Sequence, residues 1–274
     1  MTESNAAASA NAAPSQHGRD GGGVAGVAGA AQHIEIRAGV ELPAVREEIE
    51  LRTSDGLTLV GELATPVDRA PAATLVTLHP LPTAGGFMDS HIIRKAALRL
   101  PALAGLAVLR FNTRGTTSPR GTSEGRFGDG VDERADVAAA MQFVAERALP
   151  HPWLLGWSFG TELALKYGLE HPIEGAILLS PPLHRAGDAD LRRWADAGHR
   201  IVAIVPEHDD FLRPAEAAER FAVIPHLEQV DVQGGKHLWV GEAQTRRVLE
   251  EIVAIVNPRA LPLPTQWPAA SVVA

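Results

Sequence analysis

Six short apolar runs, ATLVTL (73–78), LAVLRF (106–111), PWLLGW (152–157), EGAILLS (174–180), RIVAIV (200–205) and LEQVDV (227–232), alternate with stretches whose apolar residues recur at spacings of three and four. Runs of that length read as strands buried on both faces, and the longer spacing marks helices with one apolar side. The helical stretches are 87–105, 132–149, 159–171, 213–223 and 241–256. This alternation of strands and helices predicts parallel strands joined by right-handed crossovers, with helices on both faces of one sheet. In such a sheet the working loops gather at the carboxyl ends of the strands.

Ahead of this core, VREEIELRTSDGLTLVGELATP alternates polar and apolar residues on both sides of SerAspGly, predicting an antiparallel hairpin that turns near Asp55 and Gly56. Residues 1–42 are dominated by Ala, Gly, Ser and Asn, too poor in large apolar groups to offset the entropy of ordering, and are expected to be a disordered tail. Residues 258–274 carry Pro every few positions and are expected to wrap the surface or fray. The domain between them is expected to span 43–257.

With 45% hydrophobic residues among 274, the chain can bury a full core. Its net charge of -8, without a Lys/Arg cluster, lacks the electrostatic footprint of a nucleic-acid or anionic-membrane binder. The absence of cysteine excludes disulfides, thiolate metal sites and a thiol nucleophile. No uncharged apolar run nears the roughly 18 to 20 residues of a membrane span, and the start of the chain lacks the basic and apolar regions of a signal peptide. A cytoplasmic protein without a membrane partner is expected. Its oligomeric state is not readable from the residues.

Gly156-Trp157-Ser158-Phe159-Gly160 is a GxSxG pentapeptide placed where a strand ends and a helix begins. That setting predicts a tight turn that lifts the serine hydroxyl above the sheet, with glycines where a Cβ would collide. A serine hydroxyl needs a base to take its proton and a carboxylate to orient that base. His237, in GGKHLW just beyond the sixth run, falls on the same sheet edge as Ser158, whereas His226 precedes that run and falls on the opposite edge. The acid is expected between them in the chain, where VPEHDD brings Asp209 and Asp210 to that edge, either one suited to the task. Oxyanion donors are expected from the backbone N–H of Phe159 and of Leu81, because Pro80 and Pro82 have none and stiffen the loop around Leu81.

His79 is placed to steady that loop. Arg110, Asn112 and Arg114 are placed to meet a substrate carboxylate or, more simply, to hold neighbouring acids and carbonyls. Trp157, Phe127, Phe211 and Trp239 adjoin the candidate triad in sequence, as pocket lining or as core.

HPLPTAGGFMDS, LRFNTRG, GRFGDGVDERAD, GWSFG, VPEHDD and GGKHLWVGE, in that order, resemble the α/β-hydrolase superfamily, and within it the compact, lid-less esterase and dienelactone-hydrolase-like branch. The resemblance runs from about residue 45 to 257. It implies a mostly parallel sheet with helices on both faces, the N-terminal antiparallel hairpin and no large lid domain. In these relatives the acid closes a GxxD pattern after its strand. Here Pro206 replaces the glycine, and Asp209 stands at the acid's position. The implied activity is hydrolysis of a small-molecule ester by Ser158, Asp209 and His237, with no metal or cofactor. Thioester or peptide hydrolysis, acyl transfer, and ligand binding without turnover all use the same fold.

Overall fold

Alternate residues of a strand point to opposite faces, so a run that is apolar throughout can be satisfied only between two layers. The computed structural model, which describes residues 32–269, places the apolar runs in that way. In chain order the elements are β1 (His33–Glu35), β2 (Val45–Arg52), β3 (Thr58–Thr65), β4 (Ala73–Leu78), α1 (His91–Ala104), β5 (Leu106–Phe111), β6 (Thr117–Ser118), β7 (Gly121–Thr122), α2 (Glu133–Glu146), β8 (Pro152–Trp157) and α3 (Phe159–Tyr167). There follow β9 (Gly175–Leu179), α4 (Asp188–Ala197), β10 (Arg200–His208), α5 (Pro214–Phe221), β11 (Glu228–Lys236), α6 (Glu242–Val256) and β12 (Gln266–Pro268).

Eight strands form one sheet in the order β11-β10-β9-β8-β4-β5-β3-β2. From β11 to β5 every pairing is parallel, while β3 meets both β5 and β2 antiparallel. Val76, Leu78, Leu154 and Leu178 pack on one face under α2, α3, α4 and α5, through residues such as Val137, Leu163, Trp194 and Phe221. Leu75, Leu155, Ile177 and Leu179 pack on the other face under α1 and α6, through Ile92, Ile93, Val248 and Ile252. The period-two split of each run is what builds the two layers.

Local chemistry explains the irregular points. Pro101 lies inside α1 and has no N–H for the carbonyl of Ala97, which instead accepts a hydrogen bond from Arg46 Nη1 at 3.0 Å. Gly105 ends the same helix in the left-handed conformation, its N–H on the Leu100 carbonyl. Only α4 and its flanking turns separate β9 from β10, so nothing the size of a lid domain is inserted there.

The expected tail boundaries at 42 and 258 are corrected inward on the tails. β1 pairs antiparallel with β12, His33 opposite Pro268, so parts of both segments are structured. Ile36, Leu42 and Leu263 are buried, and the carbonyls of Leu263 and Pro264 accept from Arg246. A few apolar residues in each segment suffice because the two support one another across the chain. The tail residues 1–31 and 270–274 lie outside the described residues. No helix among the described residues is long and apolar enough to cross a membrane.

Candidate active site

β8 carries Gly156 and Trp157 to the carboxyl edge of the sheet, and Ser158 makes the turn into α3 with φ 52° and ψ -115°. Non-glycine residues rarely adopt that conformation, and holding one costs on the order of 1–3 kcal/mol. The neighbours leave little alternative. A Cβ on Gly156 would lie 2.4 Å from the Gly160 carbonyl oxygen, and one on Gly160 would lie 2.0 Å from that of Leu78. The Ser158 amide donates to the Leu179 carbonyl at 2.9 Å, tying the turn to β9.

β10 and β11 stay in register through Pro206 and Val232 and then shift before His208 meets Lys236. Asp209 leaves the sheet at this irregularity, and its Oδ1 accepts from the amides of Phe211 at 2.8 Å and Leu212 at 3.3 Å. On β11, a Cβ at Gly235 would press against Pro206 and Trp239 at 2.9 and 3.0 Å, which explains the glycine two residues before His237. The three side chains meet. His237 Nδ1 lies 3.0 and 3.1 Å from the two Asp209 carboxylate oxygens, and its Nε2 lies 2.9 Å from Ser158 Oγ. All three are at least nine-tenths buried. An ionised Asp209 only accepts, so the neutral imidazole carries its proton on Nδ1 and leaves Nε2 to accept from the Ser158 hydroxyl. Asp210, next in the chain, is exposed.

No protein-family model matches the chain. An uncharacterized protein of Rickettsia prowazekii is 32% identical over 118 residues, 42% of this chain and 47% of that protein, so the match spans about half of the relative's length. Among solved structures, a lid-less α/β serine hydrolase of Xanthomonas campestris superposes with a TM-score of 0.65 at 24% identity, over 82% of this chain and 99% of that one. An α/β serine hydrolase homologue from Coxiella burnetii gives 0.65 at 23% identity, over 77% and 97%. An esterase of Pyrococcus furiosus gives 0.61 at 17%, over 78% and 93%. The chain has the α/β-hydrolase fold.

In this α/β-hydrolase sheet the loop after β4 lies beside the turn at Ser158, and Leu81 and Phe159 both line the cleft that holds Ser158 and His237. His79 is fully enclosed. Its Nε2 accepts from the Thr113 amide at 3.0 Å, so its proton sits on Nδ1 and is donated to the Pro80 carbonyl at 2.7 Å. Because carbonyl and N–H of one trans peptide point oppositely, this bond turns the Leu81 N–H away from the imidazole. Burial lowers the His79 pKa from its ordinary 6.5 to about 4. The unfolded chain therefore takes up a proton below about pH 6.5 that the folded protein refuses until about pH 4, and stability is lost as the pH falls through that window. The loss is on the order of 3 kcal/mol, at 1.4 kcal/mol per pH unit. Denaturation of wild type and His79→Gln at pH 7 and pH 4.5 should show the wild type's advantage shrinking in acid. An advantage independent of pH would refute the neutral, enclosed His79.

The cleft, about 370 Å³, is walled mainly by Pro80, Leu81, Phe159, Pro182, Phe211 and Leu238. Of Trp157, Phe127, Phe211 and Trp239, Phe211 both lines the cleft and touches the imidazole, edge-on at 4.6 Å between centroids. Phe127 packs against Phe159, and Trp157 and Trp239 are buried beneath the site. Arg110, Asn112 and Arg114 do not line it. Arg110 is bound to Glu62 and Asp89, Arg114 to Asp55 and Asp136, and Asn112 to the Met88 amide and Ser118. Burial pulls the pKa of Arg114 down, but hydrogen bonds and charge from Asp136 and Asp55 outweigh it and raise it above the ordinary value, in keeping with a structural clamp.

One contributor was not anticipated. Glu162, fully buried in the first turn of α3, accepts from the amides of His184, Arg185 and Ala186 at 2.6 to 3.1 Å and so pins the loop that brings His184 and Arg185 to the cleft. The available signal was an acidic residue four positions after Ser158, in the first turn of a largely apolar helix. Among the described residues no cluster of His, Asp and Glu is arranged to hold a metal ion.

Proposed function

We propose that this protein is a serine hydrolase of small carboxylic esters, working through an acyl-enzyme. The observation that carries the reading is the continuous chain from Asp209 through His237 to Ser158, at 3.0 and 2.9 Å, opening into an apolar cleft. Ser158 Oγ attacks the ester carbonyl carbon while its proton passes to His237 Nε2. The Nδ1–H of the resulting imidazolium stays on Asp209, which stabilises the positive charge and keeps the ring in place. The carbonyl oxygen becomes an oxyanion that accepts from the N–H groups of Leu81 and Phe159. As the tetrahedral adduct collapses, the alcohol leaves with the proton from Nε2. Water then attacks the acyl-enzyme, giving a proton to His237, and the second collapse returns that proton to Ser158 Oγ and releases the carboxylic acid.

The test is labelling of the purified protein by a fluorophosphonate probe, together with turnover of an ester panel graded in acyl length and leaving group. Thioester and amide substrates belong in the same panel. Neither labelling nor turnover of any of them would leave a ligand-binding protein as the reading. The described residues leave the cleft open, so few methylenes of a long chain are removed from water, each adding about 0.8 kcal/mol only if buried. The kcat/KM is therefore expected to peak at acyl chains of about six carbons or fewer. Faster turnover of emulsified long-chain triglyceride than of soluble butyrate esters would overturn this.

A further inference from the structure

We propose that Trp157 and Ser180 form a positioning unit for His237, acting through its backbone carbonyl; this rests on His237 being the base of the reaction above. The carbonyl oxygen of His237 accepts from Trp157 Nε1 at 3.2 Å and from Ser180 Oγ at 3.3 Å. Ser180 Oγ in turn accepts from Trp239 Nε1 at 2.8 Å. The next carbonyl, that of Leu238, is bound by His91 Nε2 at the start of α1. The loop bearing the imidazole is thus held from β8, from the end of β9 and from α1.

Two features separate this from ordinary loop anchoring. The donors come from positions that the reaction must align anyway. Trp157 immediately precedes Ser158 and sits opposite Leu179 in the β8–β9 register, and Ser180 follows Leu179. The Ser180 amide donates to Ile204 on β10, the strand that carries Asp209, so one short span of backbone ties together the strands that present nucleophile, acid and base. The second feature is strain. Ser180 and Trp239 have φ of 51° and 52°, a region that residues with a Cβ avoid, and these two strained residues are bonded to each other. Such conformations persist only where their surroundings over-determine them. A shift of about 1 Å in a reacting group can lower a rate a hundredfold, so fixing the carbonyl of the residue whose ring spans Asp209 and Ser158 has a direct chemical consequence.

The test compares Trp157→Phe, Ser180→Ala and Ser180→Gly with the wild type. Glycine accepts φ of 51° without strain but has no hydroxyl, so it separates relief of strain from loss of the hydrogen bond. All three variants are expected to fold and to lose about ten- to a hundredfold in kcat with KM nearly unchanged, Gly losing as much as Ala. A second readout needs no turnover. The low-field Nδ1–H proton resonance of His237 should exchange with solvent at least about tenfold faster in the variants, as the imidazole loosens from Asp209. Wild-type kcat and exchange in Ser180→Ala and Trp157→Phe would overturn the positioning role while leaving the hydrolase reading intact. If no ester is turned over, the exchange rate alone decides the role. Recovery of kcat in Ser180→Gly would assign the effect to strain and also overturn it.

Discussion

Ser158→Ala is expected to lower ester turnover by about 10⁵ or more and to abolish fluorophosphonate labelling, with a melting temperature within a few degrees of the wild type. The loss is large because, among the described residues, the hydroxyl on His237 Nε2 is that of Ser158, at 2.9 Å and at the head of α3. Stability should barely move. Alanine keeps the Cβ, so the strained turn at φ 52° is unchanged, and the hydroxyl lost makes one hydrogen bond at the floor of an open cleft. Residual turnover within a hundredfold of the wild type would remove Ser158 from the chemistry. Unfolding of the variant would instead reveal a structural role for the hydroxyl.

Asp209→Asn is expected to lower kcat by up to about 10⁴ while the protein stays folded. The direction follows from three hydrogen bonds. Asp209 Oδ1 is already committed to the amides of Phe211 and Leu212, so the asparagine oxygen takes that place and its NH₂ takes the place of Oδ2, 3.0 Å from His237 Nδ1. That NH₂ is a donor, so Nδ1 must become the acceptor and the imidazole proton moves to Nε2, where it blocks acceptance from Ser158. Asp210→Asn should change kcat less than about tenfold, since Asp210 is an exposed wall of the cleft with no bond to the imidazole. Steady-state kinetics of the two variants side by side decide the assignment. An inactive Asp210 variant with an active Asp209 variant would reverse it.

The central strands were legible because their signal is local. ATLVTL, LAVLRF and PWLLGW coincide residue for residue with β4, β5 and β8, each apolar on both faces and ended by Gly, Pro or a polar residue. The hairpin was legible from its period-two pattern and its AspGly turn, the glycine having φ of 90°. β10 and β11 run three and four residues past the apolar runs that announced them, because their ends are polar and pair with each other beyond the core. β1 and β12 gave no such signal. Three residues each, more than two hundred positions apart, they are strands only by virtue of one another.

Residue types and chain order alone determined that a Ser, an acid and a His would arrive at the carboxyl edge of one sheet, since strand direction decides the edge and the crossovers keep the strands that carry them parallel. They left Asp209 and Asp210 open, and only the family resemblance put Asp209 at the acid's position. The geometry that sets Asp209 apart is the register shift after Pro206 and the Phe211 and Leu212 amides that capture one of its carboxylate oxygens. Nor could residue types and chain order assign Glu162, Trp157 and Ser180, whose partners lie between 22 and 80 residues away in sequence. Burial periodicity is written in each segment by its own residues. A hydrogen bond between side chain and distant backbone depends on where two segments come to rest, and only the packed sheet and its loops specify that.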